Sequence, residues 1–451
     1  DGWVDNKGAN KLPGGKYEDF YGEENDGYRI ALRYDGVEDL LIDYSYDYSD
    51  MDTTPAYFQY SGPTGVGQNG PILSSYPSRL EQTKNALSGG NYAFYLPKTE
   101  TDVTGHALTI SYDINDSLSI KSITGYREFN DDLSQNFGNS FGDAGGFDVR
   151  VDSDYEQFTQ ELQFLGSAGS FTYVGGLYYL DEKATAKETQ YLNRETVDVT
   201  GVTSIDLMTF QPCDTGFFGA PPFPMAACDT SIPFATFLPF YLGEFTVKSE
   251  VESYAIYGQT TWTGFDDRLD VTVGARYTED DRKAKRTNDG LPWNGNPPGD
   301  NDNDISQPDG TLVVDYRWTD DVSTYAKVST AFRSGGSSPK GPDFSDTFDE
   351  ETMVSYEMGW KTQFMENRLR LNGAVFYTRI DDIILDQLPD PVNNPNVVEI
   401  TNEGDADVYG LEIDLLAAIT ENLVVGVNYA YLDYDIKDAD DTELVWAPEN
   451  A

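Results

Sequence analysis

The chain is short of histidine, cysteine, positive charge and long apolar runs. Among 451 residues there is one histidine, His106, and there are two cysteines, Cys213 and Cys228. The loop that carries both cysteines offers too few ligands for a metal site, so none is expected. A local disulfide between Cys213 and Cys228 suits an oxidising compartment, with free thiols as the other reading. Lysine and arginine total 30 against 78 acidic residues, a net charge of −48. A phosphate backbone would be repelled by such a chain, so no nucleic-acid partner is expected. No apolar run approaches the 18 or so residues of a transmembrane helix. That lack leaves a membrane barrel open, because barrel strands carry their lipid-facing residues in alternation with polar ones.

Aromatic residues are plentiful at 14%, and glycine and aspartate gather at turn positions. The plainest pattern runs from Thr352 to Arg379. Val354, Tyr356, Met358 and Trp360 alternate with Ser355, Glu357, Gly359 and Lys361 before the reversal at Glu366-Asn367. Leu369, Leu371, Gly373, Val375 and Tyr377 then alternate with Arg370, Asn372, Ala374, Phe376 and Thr378. Successive strand side chains point to opposite faces, so both halves have an oily face and a wet one. Each half, at about a dozen residues, is long enough to cross a bilayer, for which roughly 9–11 tilted residues suffice.

The pattern repeats about seven times, giving about fourteen full strands. Hairpins are predicted across Gly36, Asn115-Asp116, Gly166–Gly169, Asp266-Asp267, Asp320-Asp321 and Glu421-Asn422 as well. Reversals of two to five residues alternate with long loops at about 49–101, 131–151, 184–247, 282–308, 334–350 and 381–401. Such sorting of short and long connections is a property of outer-membrane barrels, with short periplasmic turns and long extracellular loops. Tyr277, Trp318 and Tyr431 near strand ends fit interfacial aromatic girdles. The expected fold is an all-β transmembrane antiparallel β-barrel, since open strand edges in lipid would leave backbone groups unsatisfied.

Several segments resemble the barrel of TonB-dependent outer-membrane receptors. They include Tyr254-Ala-Ile-Tyr-Gly-Gln259, Val273-Gly-Ala-Arg-Tyr-Thr-Glu-Asp280, Ala331-Phe-Arg-Ser-Gly-Gly336 and Ser355-Tyr-Glu-Met-Gly-Trp-Lys361. Asn372-Gly-Ala-Val-Phe-Tyr-Thr378 and Asn402-Glu-Gly-Asp-Ala-Asp-Val-Tyr-Gly-Leu-Glu412 complete the set. The resemblance implies a 22-stranded barrel around an N-terminal plug, with a preceding peptide that engages the TonB complex. On that comparison the chain is an internal barrel fragment, without the plug and the last strands. The implied function is energy-coupled uptake of a scarce ligand, in first place a ferric siderophore. Vitamin B12 or an oligosaccharide as ligand, and a passive porin, are the alternatives. Outer-membrane lipid and lipopolysaccharide would surround the barrel, and no enzyme activity or cofactor is implied.

Strand parity selects the candidate ligand-binding residues. Arg29, Arg127, Arg276 and Arg333 share the polar register near the long-loop ends of their strands. A ring of guanidinium groups could receive a carboxylate, catecholate or phosphate. Pairing with acidic residues of the loops or the plug is the other reading. Glu161, Glu357, Glu412 and Asp414 share the polar face and are expected in salt bridges. Asp300-Asn301-Asp302-Asn303-Asp304 begins like a calcium loop but has Ile305 and Thr311 where glycine and glutamate belong, so a solvated loop is expected. His106 is expected near the outer interface in a structural role. The phenylalanine-rich cysteine loop, with Phe217, Phe218 and Phe223, either packs on itself or offers an aromatic surface.

Overall fold

The computed structural model describes residues 21–54, 92–94, 98–136, 147–192, 196–198, 240–288, 297–341, 343–387 and 399–437. Every regular element among them is a strand. In chain order these are β1 (Glu23–Val37), β2 (Leu40–Thr53), β3 (Tyr92–Phe94), β4 (Thr99–Asn115), β5 (Leu118–Asn136), β6 (Phe147–Ala168) and β7 (Phe171–Leu192). Then come β8 (Thr196–Asp198), β9 (Phe240–Gly264), β10 (Leu269–Asn288), β11 (Gly299–Thr319), β12 (Val322–Arg333), β13 (Gly336–Ser337) and β14 (Thr347–Phe348). The series ends with β15 (Glu351–Phe364), β16 (Leu369–Asp381), β17 (Ile384–Gln387), β18 (Glu399–Asn402), β19 (Asp405–Thr420) and β20 (Leu423–Lys437).

A 14-stranded antiparallel sheet takes the long strands in chain order, from β1 to β20. The short strands pair separately, β3 with β8, β13 with β14 and β17 with β18. At one end the strands reverse tightly. Asp116-Ser117, Gly169-Ser170 and Asp320-Asp321 each join a hairpin in two residues. Phe265-Asp266-Asp267 and Met365-Glu366-Asn367 form a different reversal, with all six residues at positive φ. At the other end the connections are longer. The segment 282–308, expected as loop, is largely strand, since β10 runs to Asn288 and β11 starts at Gly299. The Asp300–Asp304 run therefore lies in β11, opposite Lys285 to Asp281 of β10.

The two faces differ as the alternation requires. Directly opposite residues share a face, and Leu177, Ile256 and Tyr277 face one another across β7, β9 and β10. Ile256 is 58% exposed and Val273, on the same face, 50%. This apolar face is bounded by two aromatic rows. Towards the long loops lie Tyr46, His106, Tyr179, Tyr254, Tyr377 and Tyr409, with ring centres 4.9 Å apart for Tyr46–His106 and 5.0 Å for Tyr179–Tyr254. Towards the short turns lie Trp262 with Phe265 and Tyr316 with Trp318. Tyr254 and Trp262 are eight residues apart on β9, about 27 Å along the strand. Tilted by 35–45°, that is about 20 Å of height, close to the apolar band of an outer-membrane barrel.

Candidate ligand-binding face

The opposite face is polar and carries a recess of about 490 Å³ across β6 to β12. Glu161, Gln163, Tyr257, Gln259, Arg276, Asp309, Thr311 and Ser329 line it. Neighbouring strands place these residues side by side, with Arg276 opposite both Tyr257 and Asp309. Tyr257 lies across Gly176, where a Cβ would come within 2.6 Å of the tyrosine hydroxyl. The glycine thus lets a ring on β9 reach over β7, and its hydroxyl donates to Glu161 on β6. Gln163 also donates to Glu161, at 2.9 Å. Glu161 is engaged from two strands, which leaves it no role as a free acid.

Arg276 differs. Its Nε donates to Thr278 Oγ1 at 2.9 Å, and its guanidinium carbon stands 5.3 Å from the centre of the Tyr178 ring. Asp309, directly opposite, instead accepts from the Thr330 hydroxyl at 3.3 Å. Among the described residues no carboxylate lies within 4.0 Å of the Arg276 guanidinium. A cation with open donors therefore faces a polar recess, an arrangement that can take up a planar anionic group.

The four arginines singled out by parity all lie on the polar face but do not converge. Arg29, Asp47, Gly105 and Arg127 occupy one row across β1, β2, β4 and β5. Arg127 pairs with Asp47 at 3.3 Å, and Arg29 reaches the Ser45 hydroxyl at 3.5 Å. Followed across the sheet, that row meets β10 at Arg282, six residues beyond Arg276. Arg333 pairs with Glu351 at 3.4 Å and donates to the Ile384 carbonyl at 2.9 Å. Of the acidic residues on this face, Glu357 accepts from Tyr325 at 2.6 Å and Asp414 pairs with Arg370 at 3.2 Å.

His106 lies in the aromatic row, with Tyr44 at 2.8 Å from Nδ1. The carboxylates of Asp281, Asp302 and Asp304 gather within 4.8 Å, and Lys283 Nζ sits 3.0 Å from Asp281. Cys213, Cys228 and the aromatic residues around them lie outside the described residues.

Arg286 was not legible beforehand. It is 1% exposed, near the end of β10. The even-numbered positions of β10 continue on the polar face past Thr278 to Arg286, but the apolar half of the alternation stops, which hid the strand.

A model of the family described as TonB dependent receptor-like, beta-barrel matches residues 27–451. A probable TonB-dependent siderophore receptor of Acinetobacter baumannii, PiuA, is 28% identical over 130 residues, 27% of this chain and 16% of that protein. The metal-pseudopaline receptor CntO of Pseudomonas aeruginosa is 28% identical over 126 residues, 28% of this chain and 16% of that protein. The ferric yersiniabactin uptake receptor FyuA of Yersinia pestis has a similar fold, with a TM-score of 0.64 at 17% identity, over 95% of this chain and 54% of that one. The chain thus spans about half the length of that receptor, and a smaller share of the curated relatives aligns. By the match along nearly its whole length, the chain belongs to the TonB-dependent receptor β-barrel family.

Proposed function

We propose that the chain is barrel wall of an energy-coupled outer-membrane receptor that imports a scarce anionic ligand, in first place a ferric siderophore. Arg276 carries the reading, as a guanidinium with no carboxylate within 4.0 Å among the described residues, facing a polar recess in a strongly acidic chain. The family is one of Gram-negative outer-membrane barrels, and the PiuA and FyuA likenesses support a siderophore among its possible cargoes. The long-loop end would face the cell exterior and capture ligand. A plug encoded upstream would rearrange on binding, and the TonB complex would drive release into the periplasm. Outer-membrane lipid and lipopolysaccharide would contact the apolar face, with its aromatic rows at the two interfaces.

A second reading keeps the receptor and changes the cargo. The amides and hydroxyls of Gln163, Gln259, Thr311 and Ser329 around the recess would also suit an oligosaccharide. Uptake by a strain deleted for the parent gene, grown with and without iron, separates the two. Loss of ferric-siderophore uptake under iron limitation supports the first. Unchanged iron uptake with impaired growth on an oligosaccharide supports the second. A parent gene without an upstream plug of about 150 residues would point to a passive porin instead.

A further inference from the structure

Between β12 and β15 the chain does not take the direct path. Ser334 donates to Asp280 of β10 at 2.7 Å, and Lys340 meets Glu188 of β7 at 3.0 Å. The sheet order β7-β9-β10-β11-β12 puts three strands between β12 and that contact. Asp280 and Arg286 share the polar face with Arg276, as Glu188 does with Tyr178. The segment therefore folds inward across the polar face.

Arg286 anchors it. Nη1 donates to the carbonyls of Pro339 at 3.1 Å and Gly341 at 2.9 Å, while Nε and Nη2 both donate to Pro297, at 3.0 and 2.7 Å. Phe344, also 1% exposed, covers the guanidinium at 5.0 Å. Burial pushes the pKa of Arg286 down, and Asp343 opposes that shift. A buried charge is tolerable only when its hydrogen bonds are met, and the met bonds here are carbonyls from separate segments. On its far side the segment is tied again. The Ser338 hydroxyl accepts from Ile400 at 3.2 Å, and Asn402 holds the Asp349 amide at 2.6 Å, the Asp349 carbonyl at 3.1 Å and the Asp382 carbonyl at 2.9 Å.

We infer that the described residues 334–341 and 343–350 form a fixed strap that narrows the outer mouth of the barrel and sets the size of what enters, with Arg286 as its positioning residue. The inference rests on the barrel reading, which makes the polar face the inner one, and is independent of ligand identity. The strap turns Asp343, Ser345 and Asp346 to water and keeps Phe344 against the Arg286 guanidinium of the wall. Lysine at position 286 would not replace the arginine, because a single ammonium cannot span carbonyls on three sides.

Two measurements on the full-length protein in detergent micelles test it. Amide exchange in 336–348 should be as slow as in the outer half of β10. Arg286→Gln should speed it at least tenfold, together with exchange in 399–402, which Arg286 does not touch, and leave 269–279 unchanged. Arg286→Lys should behave like Arg286→Gln. In a background with every native cysteine replaced by serine, a thiol introduced as Gln157→Cys reports access past the strap. A small maleimide should label it in either form, and a bulky polymer-linked maleimide at least tenfold faster in the Arg286→Gln protein. Should Arg286→Gln fail to fold, Lys340→Ala should shift both readouts the same way. Fast exchange of 336–348 in the parent protein, or equal labelling by the bulky reagent with and without the substitution, would overturn the inference.

Discussion

Arg333 and Glu351 stand opposite each other on β12 and β15 and between them hold both backbone polar groups of Ile384. Glu351 Oε2 accepts from the Ile384 amide at 2.8 Å, and Arg333 Nη2 donates to the Ile384 carbonyl at 2.9 Å. A guanidinium so occupied has little to offer a ligand. Arg333→Ala should therefore speed amide exchange around β17 and β18 and change affinity for an anionic ligand by less than about threefold. Binding and exchange measured on the same preparation check this. A large loss of affinity with unchanged exchange would return Arg333 to the binding site.

Arg276 should behave in the opposite way. A hydrogen bond to a charged group is worth about 1.5–3 kcal/mol, so Arg276→Ala should weaken an anionic ligand about tenfold or more. Arg276→Lys should recover only part, since lysine lacks the planar fork. Titration calorimetry with candidate ferric siderophores decides. Equal affinity in all three proteins would assign Arg276 to the wall and not the ligand.

Position 273 tests which face meets lipid. Val273 lies on the apolar face between the two aromatic rows, and Thr272 next to it on the polar face, hydrogen-bonded to Thr261 at 2.7 Å. Val273→Arg should cost about 2–4 kcal/mol of stability in a bilayer, as basic residues do near the midplane of barrels. Thr272→Arg should cost less than half as much. Denaturant unfolding in lipid vesicles gives both values, and equal costs would count against the assignment of faces.

Trp360 lies over Gly373 on the neighbouring strand, and a Cβ on that glycine would fall 2.2 Å from the indole. Gly373→Val should displace the ring and destabilise by about 1–3 kcal/mol, the usual cost of overpacking. A changed tryptophan emission maximum with an intact barrel is the expected signature. An unmoved spectrum would show that the ring has room to spare.

Glu399, on β18, has its pKa raised by burial, with the charge of Asp346 adding to the effect. A raised folded-state value means the folded protein holds this proton more tightly than the unfolded chain. The associated stability is present below the ordinary carboxylate range, about 4.3 for glutamate, and is lost as pH rises through the folded value. Glu399→Gln should thus slow exchange in β17 and β18 at pH 7 and make no difference at pH 4. A benefit that persists at pH 4 would show that the cause is not ionisation.

The repeat of oily and wet positions was enough to locate the hairpins. Tyr356, Met358, Val375 and Tyr377 lie together on the face their parity assigned, because alternation is a local property of extended chain. The same parity put Arg276 on the polar face. It could not distinguish Arg276, with no carboxylate within 4.0 Å among the described residues, from Arg127 and Arg333, each paired with a carboxylate from another strand. The outer extensions of β10 and β11 were also illegible, because above the aromatic row both faces meet water or loops and the apolar half of the signal vanishes.

What the sequence by itself determined is the wall, that is, strands, turns, faces and their order, since each follows from neighbours along the chain or one hairpin away. The tertiary structure alone decided which charges are spent and which are open. Arg286 meets carbonyls from segments 11, 53 and 55 residues distant, and Arg333 meets one 51 residues away. Contacts at that separation depend on how the loops fold back over the sheet, and no periodicity along the chain records that path.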